Sequence, residues 1–221
     1  SEGAFDVTIG PLVRLWGLGP EPRETFPSAS TIDAALARTG WQYLESDRLA
    51  PKLRKRLGRI EVDLSAIAKG FAVDRLAHHL EDIGVRRYLV DIGGEVRVGG
   101  EGPTSERWRI GVVDPQSVLR PTLDGSGPTP FVTLHLRDRA SATSGDYHNY
   151  FEHDGREYSH IIDPTTGYPV PPGLRSVTVV HERAALADAW ATALLVMGRN
   201  RGSETAERLG LAAYFISENS T

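Results

Sequence analysis

The sequence predicts an α+β (mixed α/β) fold in which packed helices cover a largely antiparallel sheet. Short segments with the alternating polarity of strands recur along the chain, and three longer segments carry the spacing of helices. Glycine and proline are spread throughout, and no stretch has the composition of a linker. We therefore expect one domain over residues 1–221.

Three segments predict helices, and a glycine follows each of them. Thr31 is a candidate N-cap for a short helix over residues 31–38. Ser65 is a candidate cap for a longer helix over residues 65–83, in which apolar residues recur at helical spacing. The third helix is expected over residues 184–197.

Strand-like segments lie before, between and after these helices. A basic stretch over residues 52–59 is expected to be a solvated loop or hairpin, because the chain around it is not basic. A hairpin is expected around the turn at Asp154 and Gly155, with strands over residues 147–151 and 157–162. The other predicted strands cover residues 60–63, 87–92, 95–98, 108–113, 131–136, 176–180 and 212–216.

Composition excludes several classes of protein. Of the 221 residues, 40% are hydrophobic and 24% are charged, which is typical of a globular chain and not of a disordered one. The net charge of −4 gives no positive field for a nucleic-acid partner. The absence of cysteine excludes disulfides, thiolate metal sites and a cysteine nucleophile. No apolar run is long enough for a membrane-spanning helix.

The start of the second predicted helix is a candidate anion site. Free N–H groups at a helix start attract phosphate, and the segment VDLSAIAKG leads from a predicted strand into this helix. Lys69 lies where the helix dipole disfavours a cation, so either an anionic ligand or exposure to solvent explains it. Gly70 indicates the close approach of another backbone. The chain lacks a Walker A pattern and a dinucleotide-binding fingerprint.

The third predicted helix carries a carboxylate on an apolar segment. Asp188 and Thr192 are four residues apart and therefore share one helix face, among Ala, Leu, Val and Trp. A buried carboxylate must be paired, protonated or bound to a cation. A carboxylate and a hydroxyl together suit Mg²⁺ or Ca²⁺, whereas an arginine elsewhere in the chain is the alternative partner for Asp188.

His160 is a candidate general base. It lies at the end of a predicted strand, directly before the turn-forming segment DPTTG, where an imidazole could reach a cleft. A structural role is the more frequent one for a single histidine. Ser144 and His160 could suggest a hydrolase, but the chain lacks a G-x-S-x-G elbow, which argues against a serine triad.

Six segments together resemble the ApbE family, the FAD:protein FMN transferases. They follow the family's order and span almost the whole chain, so the set is specific although each segment alone is weak. The segments are GAFDVTIGPLVRLWGLG from Gly3, VDLSAIAKGFAVDRL from Val62, LVDIGGEVRVGG from Leu89, ATSGDYHNYF from Ala142, YSHIIDPTTGYPV from Tyr158 and ALADAWATALLVMG from Ala185.

This resemblance implies a fold and an activity. The family fold is a mixed α/β single domain. Its members use Mg²⁺, cleave FAD and attach FMN to a threonine or serine hydroxyl of a partner protein, releasing AMP. The implied acceptor is a flavin-carrying subunit of a membrane redox complex. The resemblance further implies an extracytoplasmic setting, either periplasmic or membrane-anchored, and it leaves the oligomeric state open.

The resemblance also assigns roles to residues by position. Asp188 and Thr192 correspond to the side-chain ligands of Mg²⁺, and Ala66 corresponds to a residue whose carbonyl binds the same ion. His160 corresponds to the histidine required for transfer. The implied FAD contacts are Ala4, Phe5, Asp6, Asp63, Lys69, Ile162 and Ala191.

The chain departs from the family pattern at its ends. We expect that it lacks the family's N-terminal portion and represents an incomplete version of the domain. Two other activities use the same nucleotide and metal residues and stay open. One is an FAD pyrophosphatase that produces FMN and AMP, with water in place of the threonine. The other is an FAD-binding protein without turnover.

Overall fold

The computed structural model describes residues 1–18, 26–47, 49–119, 129–146, 150–153 and 156–218. The chain divides into two compact units, Ser1–Leu64 with Tyr150–Pro171 and Ser65–Asn149 with Pro172–Thr221. Every strand pair among the described residues is antiparallel, and helices pack beside the strands. The predicted α+β class is therefore confirmed, whereas the single domain stays a prediction.

The first unit consists of short helices and two hairpins. A 3₁₀ turn at Trp41–Tyr43 leads into its first hairpin. The elements are α1 (Gly10–Leu15), α2 (Ala29–Leu36), the paired strands β1 (Leu44–Asp47) and β2 (Lys52–Lys55), and the paired strands β8 (Tyr150–His153) and β9 (Arg156–Ser159).

The core of the first unit forms where α1, α2 and the segment after β9 meet. Leu12 and Trp16 pack there with Ile32 and Ile162, all of them buried. The indole N–H of Trp16 donates to the Gly167 carbonyl at 2.8 Å, which satisfies the one polar group of this large apolar side chain. This core fixes the turn that follows His160 against the two helices.

The second unit is a five-stranded sheet with two long helices. The strand order is β11-β10-β7-β4-β3. The helices α3 and α5 pack against this sheet, and the β5–β6 hairpin packs against Val96 and Val98 of β4. The elements are α3 (Ser65–Asp82), β3 (Tyr88–Ile92), β4 (Glu95–Gly99), β5 (Trp108–Val113), α4 (Pro115–Leu119), β6 (Pro130–Leu136), β7 (Arg139–Gly145), β10 (Leu174–His181), α5 (Ala184–Leu209) and β11 (Ala212–Ser217).

The N-terminus of α5 is capped by a side chain of α3. The N-cap residue Arg183 makes no side-chain cap, and the N–H groups of Ala184 and Ala185 donate to Asp74 at 2.9 and 3.0 Å. Arg97 lies 2.8 Å from the same carboxylate. Burial raises the pKa of Asp74, but the hydrogen bonds from the two N–H groups and from Arg97 outweigh it and lower the pKa. Asp74 therefore joins the two helices as a buried anion.

The first predicted helix begins earlier than expected. The structure has α2 over Ala29–Leu36 in place of residues 31–38, because Ser28 and not Thr31 is the N-cap. The Thr31 N–H donates to the Ser28 Oγ at 3.3 Å, so Thr31 already lies in the first helical turn. The predicted cap at Thr31 is wrong by three residues.

Two further elements differ from expectation. The predicted strand over residues 60–63 is absent, although the Asp63 N–H donates to the Val7 carbonyl at 2.6 Å. The last helix leaves helical geometry at Gly198, where φ is +74°, and then continues to Leu209. Of the basic stretch over residues 52–59, Lys52–Lys55 form one strand of a hairpin whose other strand is Leu44–Asp47, and the other predicted strands are present within a few residues. The turn at Asp154 and Gly155 and residues 147–149 of the predicted hairpin lie outside the described residues.

The packed face of α3 is formed by small side chains. Phe71 and Ile83, which contribute to the helical spacing in the sequence, are 58% and 62% exposed. The buried residues are Gly70, Val73, Asp74 and Ala77, which recur at i, i+3, i+4 and i+7. Small residues on this face let α5 come close, and that closeness builds the site below.

Candidate active site

Asp188 is a buried carboxylate on α5, and no ion-pair partner for it occurs among the described residues. It is 4% exposed, and its Oδ2 accepts a hydrogen bond of 2.9 Å from the Gly70 N–H. Within the described ranges it makes no ion pair and no other hydrogen bond. Burial raises the pKa of Asp188, and the Gly70 bond and the charge of Lys69 offset this only in part. The expected alternative, an arginine partner, does not occur among these residues.

Gly70 brings the start of α3 against Asp188. A Cβ atom at position 70 would meet the Ala184 carbonyl and would lie 2.8 Å from the Asp188 Cβ, so only glycine fits without movement. The predicted close approach of another backbone is confirmed. Ala66 lies in the first turn of α3, four residues before Gly70.

Thr192 lies one turn after Asp188 on the same face of α5. Its Oγ1 is 2.9 Å from the Oγ of Ser144, which belongs to β7. Both side chains are partly buried. The structure thus places a carboxylate, a hydroxyl and the first turn of α3 in one region of the second unit.

Lys69 is paired with a carboxylate that sequence reasoning missed. Its Nζ lies 2.7 Å from a carboxylate oxygen of Glu95, whose side chain is only 2% exposed. Burial raises the pKa of Glu95, the bond and charge of Lys69 lower it, and the negative charge of Asp188 raises it further. Lys69 thus makes an ion pair with Glu95, and its charge also lowers the pKa of Asp188 in part.

The donor chemistry of this region fits a hard divalent cation. Mg²⁺ prefers carboxylate, hydroxyl and carbonyl oxygens, which Asp188, Thr192 and Ala66 supply. No group of three or more histidine and acidic side chains that could hold a metal occurs in the described part of the chain. Ala191, an implied FAD contact, is fully buried on the same helix.

The segment Ala4 to Asp6 lies in the first unit and is held by its own hydrogen bonds. Oδ1 of Asp6 accepts from the N–H and the hydroxyl of Thr8 at 2.8 and 2.7 Å, and Oδ2 accepts from the Trp41 N–H at 3.0 Å. Ala4 is buried. Phe5 lines an open cavity of about 500 Å³ together with Gly3, Val7 and Trp41. By accepting a hydrogen bond from the Trp41 N–H, Asp6 holds the backbone of a residue that lines this cavity.

The other implied residues of the first unit lie near its core. His160 is partly buried and follows β9 directly. Ile162 is 3% exposed and packs in the core cluster with Leu12 and Trp16. Asp63 is partly buried next to the segment of Val7, whose carbonyl its N–H contacts.

A profile of a known protein family matches nearly the whole chain, including both units. The family profile described as "ApbE family" matches residues 1–215. The chain belongs to the ApbE family. The resemblance expected from the six segments is thereby confirmed.

Two curated relatives show how similar this ApbE chain is to named proteins. The FAD:protein FMN transferase of Vibrio cholerae serotype O1 is 45% identical over 208 residues, which cover 94% of this chain and 59% of the relative. The protein of the same name from Escherichia coli strain K12 is 39% identical over 224 residues, which cover 99% of this chain and 61% of the relative. The chain thus spans about three fifths of the length of these relatives.

A solved structure shares the fold of this ApbE chain. The apo form of Pseudomonas stutzeri flavinyl transferase ApbE superposes with a TM-score of 0.84 at 40% sequence identity. The match covers 99% of this chain and 65% of that chain.

Among the described residues, no helix combines the length and the apolar character needed to cross a membrane.

Two residues near the site of this ApbE chain were not assigned a role from the sequence. Glu95 follows a pair of glycines in the sequence. Such a pair indicates a tight turn between β3 and β4, and it does not indicate a charged site. Ser144 was considered only as a nucleophile. The sequence signal for it is the hydroxyl pair Thr143 and Ser144 on β7, because successive residues of a strand face opposite sides and the two hydroxyls therefore meet different partners.

Proposed function

We propose that this chain transfers FMN from FAD to a threonine or serine hydroxyl of an acceptor protein and releases AMP. The observation that carries the proposal is Asp188, a buried carboxylate that accepts a hydrogen bond from the Gly70 N–H and makes no ion pair among the described residues. Retaining such a group costs stability unless a ligand compensates it. The relatives named FAD:protein FMN transferase support the choice of reaction.

Mg²⁺ is the cofactor that we propose for the second unit. The Ala66 carbonyl, the Asp188 carboxylate and the Thr192 hydroxyl would hold it. Bound there, Mg²⁺ would supply positive charge to the pyrophosphate of FAD, which is its usual contribution to phosphoryl transfer. The half-exposed Lys69, steadied by Glu95, would donate hydrogen bonds to phosphate oxygens.

The residues of the first unit would bind the flavin nucleotide and move a proton. Phe5 offers an apolar wall at an open cavity, and we propose FAD contacts at Ala4, Asp6, Asp63 and Ile162 as well. His160 would accept the proton of the acceptor hydroxyl. The hydroxyl oxygen forms a bond to the phosphorus of the FMN moiety, and the bond from that phosphorus to the AMP phosphate oxygen breaks.

A direct test is the mass of an acceptor after incubation with FAD. We would incubate the purified chain with FAD, Mg²⁺ and a flavin-carrying redox subunit that bears the acceptor threonine, and measure AMP by chromatography. The expected result is FMN added to the acceptor and an equal amount of AMP. Asp188→Asn and Thr192→Val should reduce transfer at least 100-fold. Ser203→Ala removes a hydroxyl from the same helix and should leave transfer unchanged.

The same assay separates the alternatives. Free FMN and AMP together with an unmodified acceptor would show that the chain is an FAD pyrophosphatase and not a transferase. Intact FAD that stays bound to the chain would show that the chain is an FAD-binding protein without turnover. Full transfer by the Asp188→Asn variant would refute the metal assignment.

The location of the protein is part of the proposal and derives from the family resemblance alone. We propose an extracytoplasmic setting, either periplasmic or membrane-anchored, where acceptor subunits of membrane redox complexes are accessible. Fractionation of cells that express the native gene, with detection of the protein in each fraction, tests this. Recovery in the cytoplasmic fraction alone would refute it.

A further inference from the structure

The hydroxyl of Thr192 is hydrogen-bonded across the unit and not along its own helix. A serine or threonine in a helix commonly donates to the carbonyl of residue i−4. Ser203 on α5 makes this hydrogen bond, and its Oγ donates to the Arg199 carbonyl at 2.8 Å. Thr192 does not: in the described part of the chain, its hydrogen-bond partner is the Oγ of Ser144 at 2.9 Å.

This contact matters because a hydroxyl has one proton and two lone pairs. A hydroxyl that binds a cation turns its lone pairs to the metal and its proton away from it. If Thr192 donated to the carbonyl of its own helix, the rotamer would be set by that bond. Ser144 instead offers an oxygen from β7 that can accept a hydrogen bond from the Thr192 hydroxyl and hold the Thr192 side chain in one rotamer.

We propose that Ser144 is a positioning residue for the metal site, acting through Thr192. Its Oγ accepts a hydrogen bond from the Thr192 hydroxyl and thereby keeps a lone pair of Thr192 Oγ1 available to the divalent cation. Partners in the outer shell of a metal site commonly change affinity by about 10- to 100-fold. This inference rests on the proposed function, because it needs Thr192 to be a metal ligand.

The test measures metal affinity without turnover. Mn²⁺ serves as the probe, because it takes oxygen ligands as Mg²⁺ does and its free form can be counted by electron paramagnetic resonance. We would titrate the wild-type chain, Ser144→Ala, Thr192→Val and the double variant. Ser144→Ala should weaken Mn²⁺ binding about 10-fold or more, and Ser144→Thr, which keeps the hydroxyl, should restore most of the affinity.

The double variant decides between positioning and a general structural effect. If Ser144 acts through Thr192, Ser144→Ala should change affinity less than about twofold in the Thr192→Val background. An independent structural effect would instead lower the affinity by the same factor in both backgrounds.

Strand β7 also offers a matched control. Thr143 and Thr178 form a similar hydroxyl pair at 2.8 Å, and Thr143 is the direct neighbour of Ser144 on the strand. Thr143→Ala removes that pair without touching Thr192 and should leave Mn²⁺ affinity within about twofold of wild type. Thermal unfolding without metal confirms that each variant is folded.

The outcomes separate this inference from the proposed function. Wild-type affinity in Ser144→Ala, with binding abolished by Asp188→Asn, would overturn the role of Ser144 and leave the metal site standing. Equal losses in Ser144→Ala and Thr143→Ala would overturn it as well. If the wild-type chain bound no Mn²⁺, or if Asp188→Asn bound it normally, the metal site and this inference would both be refuted.

Discussion

Replacement of Gly70 by alanine tests the close packing of α3 and α5. Alanine stabilises the interior of a helix by about 1 kcal/mol relative to glycine, so helix propensity alone predicts a more stable protein. The structure predicts the opposite sign. The added Cβ would lie 2.7 Å from the Ala184 carbonyl carbon and 2.8 Å from the Asp188 Cβ, and neither atom is the flexible end of a side chain.

The magnitude follows from these two opposing effects. Overpacking against atoms that cannot move aside costs about 3 kcal/mol, so the net loss in the free energy of unfolding is about 2 kcal/mol. In a chain of this length that loss lowers Tm by about 4–8 °C. The measurement is thermal unfolding followed by circular dichroism, with urea titration as a second probe.

The matched control is Gly10→Ala, a glycine of α1. Its added Cβ would lie 3.6 Å from the Asp63 Cβ, which is an ordinary van der Waals contact. This variant should have a Tm equal to or above that of the wild type. A Tm of Gly70→Ala that is equally high would refute the tight approach of the two helices and, with it, the position given to Asp188.

Two further predictions concern the buried charges of the second unit. Asp74→Asn should destabilise the protein by about 2–4 kcal/mol at pH 7, because Arg97 loses its anion and the start of α5 loses a charged cap. Since the pKa of Asp74 is lowered in the folded state, its stabilisation is present above the ordinary value of 3.8 and lost as pH falls below it. Urea titrations from pH 7 to pH 3 should therefore show the wild type approaching the variant, and a constant gap would contradict this. Lys69→Met should destabilise the protein by about 1–3 kcal/mol, because Glu95 is left unpaired. The loss is smaller than for a fully buried ion pair, since the lysine is 48% exposed. Adding Glu95→Gln should restore most of that loss in thermal unfolding, and an additive loss would show that the pair does not interact.

The fold class and the helices of the site could be predicted from local patterns. Strand alternation and helical spacing depend on neighbours in sequence, so β3, β4, β5 and the start of α5 could be predicted at nearly their observed bounds. Helix ends depend on hydrogen bonds that composition leaves ambiguous. Ser28 and Thr31 are both good capping residues, and only the backbone decides that Ser28 is the cap.

The packed face of α3 could not be predicted from hydrophobicity. Hydrophobicity favours Phe71 and Ile83, yet both are exposed, because the close approach of α5 selects the small residues of the opposite face. The glycine at position 70 was the only sequence signal of that approach. The kink at Gly198 was read as a helix end, because a local pattern does not show that the chain resumes the helix.

The candidate site was found in part, for a related reason. Asp188 and Thr192 could be joined from the sequence because four residues of one helix separate them. Their other neighbours come from distant segments. Gly70 is 118 residues from Asp188, Ser144 is 48 residues from Thr192, and Glu95 is 26 residues from Lys69. Only the tertiary structure brings these groups together.

The bond between Asp74 and the start of α5 has a consequence for how the chain folds. Asp74 and Ala184 are 110 residues apart, so the cap of α5 forms only after most of the chain has been synthesised, although the other partner of Asp74, Arg97, is close in sequence. Until then, β7 also lacks its neighbour β10. Such distant contacts slow folding, and exposed intermediates of this kind are prone to aggregate. Folding of the second unit should therefore be limited by these distant contacts and not by its helices, which form from local contacts.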